Sequence, residues 1–252
     1  MRLNERDFVG ALAKGLSVIQ ALGAAGGRRT LSEVARGTRL TRAAARRYLL
    51  TLAKLGYAET DGKHFALTPL VLRLGYAYLS TASLPRLAQP VLEAIGEQTQ
   101  EVASIAVLDG DDILFLARSA HRRIVSASTS IGTRLPAHCT AIGRVLLAGR
   151  TDAEIERFLK GIRPKKLTPK TKTEFRELLA EILRARRQGY AISDEELEIG
   201  LRSIAAPVTD SRGQTALAIA VSLQAARMTP AKMIERLLPA LQSGKQALSA
   251  ML

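Results

Sequence analysis

A cluster of arginines between Thr41 and Arg47 is the stretch whose side chains suggest a chemical role most directly. On a helix of about 100° per residue, Ala43, Arg46, Arg47 and Leu50 share one face, and Arg42 lies near its boundary. Guanidinium groups form bidentate hydrogen bonds with guanine edges and pair with phosphates, while small residues let the backbone approach a groove closely. Thr41 stands at the N-cap position. The pattern predicts a nucleic-acid-binding helix, although a basic amphipathic helix is more often only a solvated surface.

The dipeptide His138-Cys139 is the second stretch with chemical potential, because a histidine can activate a cysteine nucleophile. Such a pair needs the base beside the thiol in space and usually a third group that orients the base. Adjacent residues on a chain rarely point at each other, so we expect Cys139 to be a small buried residue. The three histidines and single cysteine match no zinc-ligand spacing. We predict no catalytic residue, no metal site and no cofactor.

The elements around the arginine cluster predict a helix-turn-helix. Apolar residues recur at steps of three and four in a first helix that ends near Gly23: Phe8, Leu12, Leu16, Ile19 and Leu22. A short second helix begins after Thr30 or Ser32, either of which can act as its N-cap, and residues 38–40 form a turn. The face of the third helix opposite the arginines can pack on a core and consists of Ala45, Tyr48, Leu49, Leu52, Leu55 and Gly56. Two short helices, a tight turn and a basic helix are typical of DNA-binding domains.

A β-hairpin follows the basic helix. Residues 57–60 and 63–67 flank Asp61-Gly62, a strong two-residue turn signal. A hairpin in this position is the wing of a winged helix, and Lys63 and His64 at its tip are placed to contact DNA. The candidate DNA-binding residues are therefore Ser32, Thr41, Arg42, Ala43, Arg46, Arg47, Lys63 and His64.

The sequence pattern changes after residue 67. Thr68-Pro69 begins a helix that is apolar nearly all round, and we assign residues 68–83 to a linker between residues 1–67 and residues 84–252. Beyond it the periodicity predicts helices over 84–100, 151–160, 173–188 and 229–252, and a turn followed by a helix over 136–147. It predicts strands over 102–108, 113–117, 124–130, 190–193, 203–208 and 215–223. Strands with helices between them favour an α+β sensor-like domain with a mostly antiparallel sheet.

The charge distribution differs between the two parts of the chain, which suggests that they have different functions. The 252 residues carry a net charge of +14, with 13 Lys/Arg against 5 Asp/Glu in residues 1–82 and 24 against 18 in the remainder. A strongly basic segment beside a nearly balanced one suggests a polyanion-binding module joined to another function. The sequence shows no signal peptide and no apolar run long enough to span a membrane, so we expect no membrane partner. A single cysteine fits a reducing cytoplasm.

The chain resembles the IclR family of bacterial transcriptional regulators over essentially its whole length. In the C-terminal half the similar residues are Gly189, Ser193, Glu196, Ser203-Ile204-Ala205, Val208 and Asp210, whereas Thr209 departs from the aromatic or histidine usual there. Further stretches resemble the branch that controls protocatechuate and 4-hydroxybenzoate catabolism (the β-ketoadipate pathway): residues 40–47, 74–80, 107–113, 132–140 and 198–205. The resemblance implies a winged helix-turn-helix, a linker helix and a GAF-like effector-binding domain.

The resemblance also implies an effector site against the C-terminal sheet. Its candidate residues are Ile124, Ser126, His138, Thr140, Ala141, Ile142, Ser193, Ser203, Ala220 and Ser222. A helix N-terminus and serine hydroxyls suit a carboxylate, although each serine could equally satisfy only the local backbone. Ala220 has no hydroxyl where relatives that bind small oxo-acids tend to carry polar groups, which favours a more apolar ligand such as an aromatic acid.

The sequence therefore predicts a non-enzymatic regulator that binds double-stranded operator DNA as a homodimer or a dimer of dimers and responds to a small carboxylate. A regulator of another catabolic pathway stays open. An enzyme with a fused DNA-binding module would need a clustered catalytic set, which we do not find. A non-specific architectural protein would explain the charge but not the 170-residue second domain.

Overall fold

A computed structural model describes residues 7–23, 27–75, 83–119 and 130–252. The chain divides into two compact units, residues 1–81 and residues 82–252. None of the described helices is both long and apolar enough to cross a bilayer.

The first unit contains three helices and a three-stranded sheet. The helices are α1 (Gly10–Gly23), α2 (Leu31–Thr38) and α3 (Arg42–Lys54), and the strands are β1 (Arg28–Thr30), β2 (Ala58–Thr60) and β3 (His64–Leu67). All pairings are antiparallel in the order β1-β3-β2. The sequence predicted the hairpin β2–β3 but missed β1, whose three residues show no apolar alternation.

Threonine caps set where the helices of this unit begin. Thr30 and Glu33 form a capping box at the start of α2, in which each side chain accepts a hydrogen bond from the other's backbone N–H. The core includes Val18, Leu22 and Leu49. The N-terminal part of α1 and the end of α3 do not join this core, so the prediction that Leu55 and Gly56 lie on the packed face was wrong: Leu55 is 59% exposed, and Gly56 is exposed as well.

The predicted linker is only partly described. Pro69–Val71 form a 3-10 turn capped by Thr68, and residues 72–75 continue as a helix. Residues 76–82, the remainder of the predicted linker helix apart from Ser83, lie outside the described residues.

The second unit is built on a six-stranded antiparallel sheet in the order β6-β5-β4-β9-β8-β7. Its strands are β4 (Val102–Asp109), β5 (Asp112–Arg118), β6 (Arg134–Pro136), β7 (Ala191–Asp194), β8 (Leu201–Thr209) and β9 (Thr215–Gln224). Its helices are α4 (Ser83–Thr99), α5 (Ala141–Ala148), α6 (Asp152–Gly161), α7 (Phe175–Gln188) and α8 (Pro230–Ser249). The predicted α+β class and antiparallel sheet are confirmed, while the strand predicted over 124–130 falls almost entirely outside the described residues.

Each face of the sheet has its own core. One face packs with α4 and α8 around residues such as Ile105, Ile219 and Leu237. The other packs with α5, α6 and α7, and most of its buried strand residues are alanines, including Ala106, Ala205 and Ala220. The small side chains on this second face distinguish it from the bulky first face.

Candidate functional site

Helix α3 presents the arginine cluster as an exposed face. Thr41 Oγ1 accepts a hydrogen bond from the backbone N–H of Ala44 at 3.2 Å and so fixes the start of the helix. Ala45 and Leu49 are fully buried against the core, which orients the opposite face outward. That face carries the predicted residues Arg42, Ala43, Arg46 and Arg47, all of which are exposed.

The side chains of these three arginines form no ion pair or hydrogen bond within the described residues. Their charges are therefore available to an external anion, while Ala43 adds no bulk between them. An exposed, uncompensated row of arginines at the start of a helix is the arrangement that can pair with phosphates and reach base edges in a major groove.

The wing is arranged around Asp61. Its Oδ1 accepts hydrogen bonds from the backbone N–H groups of Lys63 and His64 at 2.9 and 2.7 Å, which closes the turn and lowers the pKa of the carboxyl below its usual range. Its Oδ2 lies 3.2 Å from Arg28 Nη1 and 3.3 Å from the His64 ring. Lys63 is therefore the exposed cation at the tip, while His64 is half-buried and engaged within the wing. Ser32 is half-buried in the first turn of α2.

Strand register places three of the predicted serines side by side. Ser193 on β7 is opposite Ser203 on β8, and Ser203 is opposite Ser222 on β9. Paired residues in adjacent strands point to the same face of a sheet. Ala220 lies two residues from Ser222 on that face. The structure thus brings four of the predicted effector residues onto the alanine-rich face.

Helix α5 packs on strands β7, β8 and β9 over this face. Thr140 caps it by accepting a hydrogen bond from the N–H of Gly143 at 3.1 Å. Ala141 and Ile142 are buried, and their backbone N–H groups have no acceptor among the described residues. Free N–H groups at a helix N-terminus favour an anion electrostatically. The predicted residues Thr140, Ala141 and Ile142 therefore lie at a helix N-terminus, a position whose free N–H groups suit an anion.

The serines differ in how their hydroxyl groups are used. Ser193 Oγ donates to the carbonyl oxygen of Cys139 at 2.8 Å, so its proton already serves the backbone just before α5. The hydroxyls of Ser203 and Ser222, both half-buried, have no hydrogen-bond partner in the described parts of the chain. Among the three predicted serines, Ser203 and Ser222 are thus the two whose hydroxyls are not used by another described residue.

His138 is not brought together with the serines. Its Nε2 lies 3.4 Å from the carbonyl oxygen of Lys165, and the ring lines a separate cavity of about 220 Å³ with Asp111, Asp112 and residues 162–165. Burial lowers the pKa of the imidazole. Ile124 and Ser126, the other predicted effector residues, lie outside the described residues.

Cys139 is a buried, free thiol beside this site. Burial raises its pKa to about 12, and its Sγ lies 3.7 Å from the carbonyl oxygen of Pro136. The thiol is protonated at neutral pH and cannot act as a thiolate nucleophile. Its burial confirms what the sequence predicted for this residue.

Sequence reasoning missed two features of this region. Ser104 on β4 pairs with Ala220 and adds a fourth hydroxyl to the same face. The alternation of Ser104 with Ile105 in a strand pattern could have revealed it. Arg144 is fully buried within α5 and pairs with Glu196. A lone arginine in an otherwise apolar helical run is the signal that could have predicted a buried charge pair.

Two family models match the chain. The IclR helix-turn-helix domain matches residues 11–62, and the bacterial transcriptional regulator IclR C-terminal domain matches residues 76–250.

Individual relatives agree with these models. The chain is 44% identical over 243 residues to the Pca regulon regulatory protein of Pseudomonas putida, covering 96% of this chain and 84% of that protein. It is 38% identical over 247 residues to the p-hydroxybenzoate hydroxylase transcriptional activator of Acinetobacter baylyi, covering 96% and 91%.

Among solved structures, a double mutant of the PobR inducer-binding domain from Acinetobacter, in complex with 3-hydroxybenzoic acid, is 33% identical. It has a TM-score of 0.65 and covers 68% of this chain and 100% of that one. An IclR homologue from Microbacterium hydrocarbonoxydans, complexed with 4-hydroxybenzoate, is 24% identical. Its TM-score is 0.76 and it covers 95% of this chain and 98% of that one, which shows a shared fold.

Proposed function

This chain belongs to the IclR family of bacterial transcriptional regulators, and we propose that it binds a palindromic operator under the control of an aromatic acid. Residues 1–67 read the DNA, residues 68–83 link the domains, and residues 84–252 bind the effector. The effector is a monocyclic aromatic carboxylate or a related intermediate of its catabolism. The observation that carries the proposal is the row of Ser193, Ser203 and Ser222 on the sheet face that α5 covers, together with the backbone N–H groups of Ala141 and Ile142 in the first turn of that helix.

The DNA-binding half of the proposal rests on α3. Arg42, Arg46 and Arg47 are exposed and have no anionic partner among the residues that the structure describes, and a buried opposite face holds the helix in place. Most of their contacts would position the protein on phosphates, and one or two would read bases. Lys63 on the wing supplies a further backbone contact.

The effector half rests on the chemistry of the alanine-rich face. A carboxylate would receive hydrogen bonds from the N–H groups of Ala141 and Ile142, and Ser203 and Ser222 would donate to it or to a ring hydroxyl. Ala220 is fully buried on this face and supplies no hydroxyl there, which favours an aromatic ring over an oxo-acid. Hydroxybenzoates bound to two structural neighbours support the same ligand class.

The proposed assembly is a homodimer or a dimer of dimers, which is supported by the expected symmetry of the operator and by exposed apolar residues near the start of α1. The two residues before α1 and the first turn of that helix expose apolar side chains: Phe8 is 62%, Val9 65% and Leu12 63% exposed. Exposed apolar side chains that are close in sequence support an interface at this position. Leu12→Glu should produce monomers in analytical ultracentrifugation, whereas Leu55→Glu, at an equally exposed leucine away from α1, should leave assembly unchanged.

The test is a DNase footprint on fragmented genomic DNA at physiological salt, repeated with protocatechuate, 4-hydroxybenzoate and β-ketoadipate. We expect a protected inverted repeat whose occupancy changes with one of these acids. Protection that ignores all three would refute the ligand class but leave the operator binding. Loss of any discrete footprint would refute the regulator itself.

Two variants assign the roles within that test. Arg46→Ala should weaken operator binding and leave acid binding intact, with Arg236→Ala on the exposed face of α8 as the matched control. Ser203→Leu should abolish the response to the acid while DNA binding persists, with Ser211→Leu in the exposed β8–β9 turn as the control. A response that survives Ser203→Leu would remove this residue from the site.

A further inference from the structure

The net charge of the second unit comes from one segment. Residues 150–187 contain 12 Lys/Arg against 6 Asp/Glu, a net of +6, while the rest of residues 82–252 contains 12 of each. Within that segment the connection between α6 and α7, residues 162–173, holds five cations and no anion. This connection is therefore a local concentration of positive charge outside the DNA-binding unit.

Threonine side chains fix the backbone of this connection. Thr168 Oγ1 donates to the carbonyl oxygen of Glu195 at 2.7 Å, and Thr171 Oγ1 donates to that of Glu196 at 2.6 Å. Thr171 Oγ1 also accepts from the backbone N–H of Thr168 at 2.8 Å. The connection is thus attached to the loop after β7 along two consecutive residues.

Two of the five cations reinforce this attachment. Lys170 Nζ pairs with Glu195 Oε1 at 2.5 Å, and Lys172 Nζ pairs with Glu181 Oε1 on α7 at the same distance. Their charges are compensated inside the unit. These two lysines therefore stabilise the fold through ion pairs, whereas the other three cations of the connection have no such role among the described residues.

The remaining cations, Arg163, Lys165 and Lys166, are exposed and form no ion pair within the described residues. Asp111 and Asp112 share a cavity wall with Arg163 and Lys165 but lie beyond ion-pair distance of both. A fixed backbone that presents three uncompensated cations within four residues loses little conformational entropy when it binds an anionic surface.

We propose that the connection at residues 162–166 is a second DNA contact, which binds phosphates outside the sequence read by α3. This inference builds on the proposed DNA binding. Four residues span about 10 Å, a length over which duplex DNA presents about six phosphates. The linker also keeps the connection at high local concentration near any DNA held by the first unit. An acidic protein surface fits less well, because protein interfaces have an apolar centre and Leu167 is the one exposed large apolar side chain of residues 162–172.

The experiment measures the affinity of the full chain for a random-sequence 60-base-pair duplex across a salt series. The variant Arg163→Ser/Lys165→Ser/Lys166→Ser should reduce the slope of log K against log salt by about 3 and the affinity on the order of 100-fold at 0.15 M salt, since each phosphate contact contributes about 0.9 to that slope. The control, Arg212→Ser/Lys232→Ser/Arg236→Ser, removes the same charge from other exposed positions of the unit. It should change affinity less than threefold.

Equal losses in the two triple variants would overturn the proposal, because net charge alone would then explain them. An unchanged salt slope in Arg163→Ser/Lys165→Ser/Lys166→Ser would also overturn the proposal. If that variant bound DNA like the wild type but lost binding to poly-glutamate, the partner of this connection would be an acidic protein. Arg46→Ala on the same duplex separates this result from failure of the proposed function. If the wild type binds DNA and only Arg46→Ala weakens binding, DNA binding by α3 stands and the second contact does not.

Discussion

Arg144 donates a hydrogen bond from Nη2 to Oε2 of Glu196 at 2.6 Å, and the two side chains are 2% and 5% exposed. Nη1 of the same arginine donates to the carbonyl oxygen of Ile192 at 3.0 Å. These bonds attach α5 to β7 and to the loop after it. Ser193 adds a parallel bond to the carbonyl of Cys139, so the end of α5 that forms the candidate effector site is held by two adjacent residues of β7.

Breaking the buried pair should strongly destabilise the second unit. In Glu196→Gln the buried guanidinium of Arg144 loses its close partner and keeps only the more distant carboxylate of Glu181, 3.8 Å from Nη1. The expected loss in the free energy of unfolding is about 3 kcal/mol. Glu156→Gln, which removes an exposed i,i+4 pair with Lys160, should cost less than about 1 kcal/mol. Guanidinium denaturation of both variants measures the two losses in the free energy of unfolding. Similar losses would show that the buried pair stabilises the fold no more than the exposed pair does.

Local signals in the sequence predicted most elements of the fold. Thr41 and Thr151 cap helices where a hydroxyl precedes an apolar period, and the alternation in residues 215–223 predicted β9. The Asp61-Gly62 turn predicted the wing. These features depend on interactions between residues only a few positions apart, which is why the sequence alone reveals them.

The candidate site was harder to predict because its parts meet only in the folded chain. The pairing of Ser193, Ser203 and Ser222 depends on the register between strands, and the Arg144–Glu196 pair joins residues 52 positions apart. No periodicity encodes such contacts. The grouping of the serines came from resemblance to a family, and the same resemblance placed His138 with them, where the structure puts its ring in a different cavity.

Gly143 should be indispensable for the start of α5. A Cβ atom there would lie 2.1 Å from the backbone oxygen of Ala137, which cannot move without displacing the preceding 3-10 turn. Gly143→Ala should cost about 1–3 kcal/mol or more and weaken acid binding, because the N–H groups of α5 would shift. Calorimetry of ligand binding and thermal unfolding would measure both effects.

Gly161, at the end of α6, is the matched control for that glycine. A Cβ there meets nothing within 4 Å, so Gly161→Ala should be neutral or stabilise the protein by up to about 1 kcal/mol. If Gly143→Ala behaved like Gly161→Ala, the close approach to Ala137 would not matter for stability or for the site.

Cys139 should resist alkylation in the native protein. Its pKa of about 12 leaves almost no thiolate at pH 8, and the side chain is buried. Iodoacetamide at pH 8 should modify it at least tenfold more slowly than in the protein unfolded by guanidinium, as followed by mass spectrometry. Rapid modification of the folded chain would contradict the buried, protonated thiol.

His138 should make the protein less stable as the pH falls below neutrality. Burial lowers the pKa of its imidazole from the usual 6.5, so on acidification the unfolded chain takes up this proton before the native chain does. Because the unfolded state then binds more protons, the free energy of unfolding must decrease as the pH falls through 6.5 and continue to decrease until the native pKa is reached. His138→Gln removes this proton uptake and leaves every other titratable side chain in place. Denaturation curves recorded from pH 7.5 to pH 5 should therefore show a shallower loss of stability in the variant, whereas parallel curves would mean that the ring takes up its proton equally in both states.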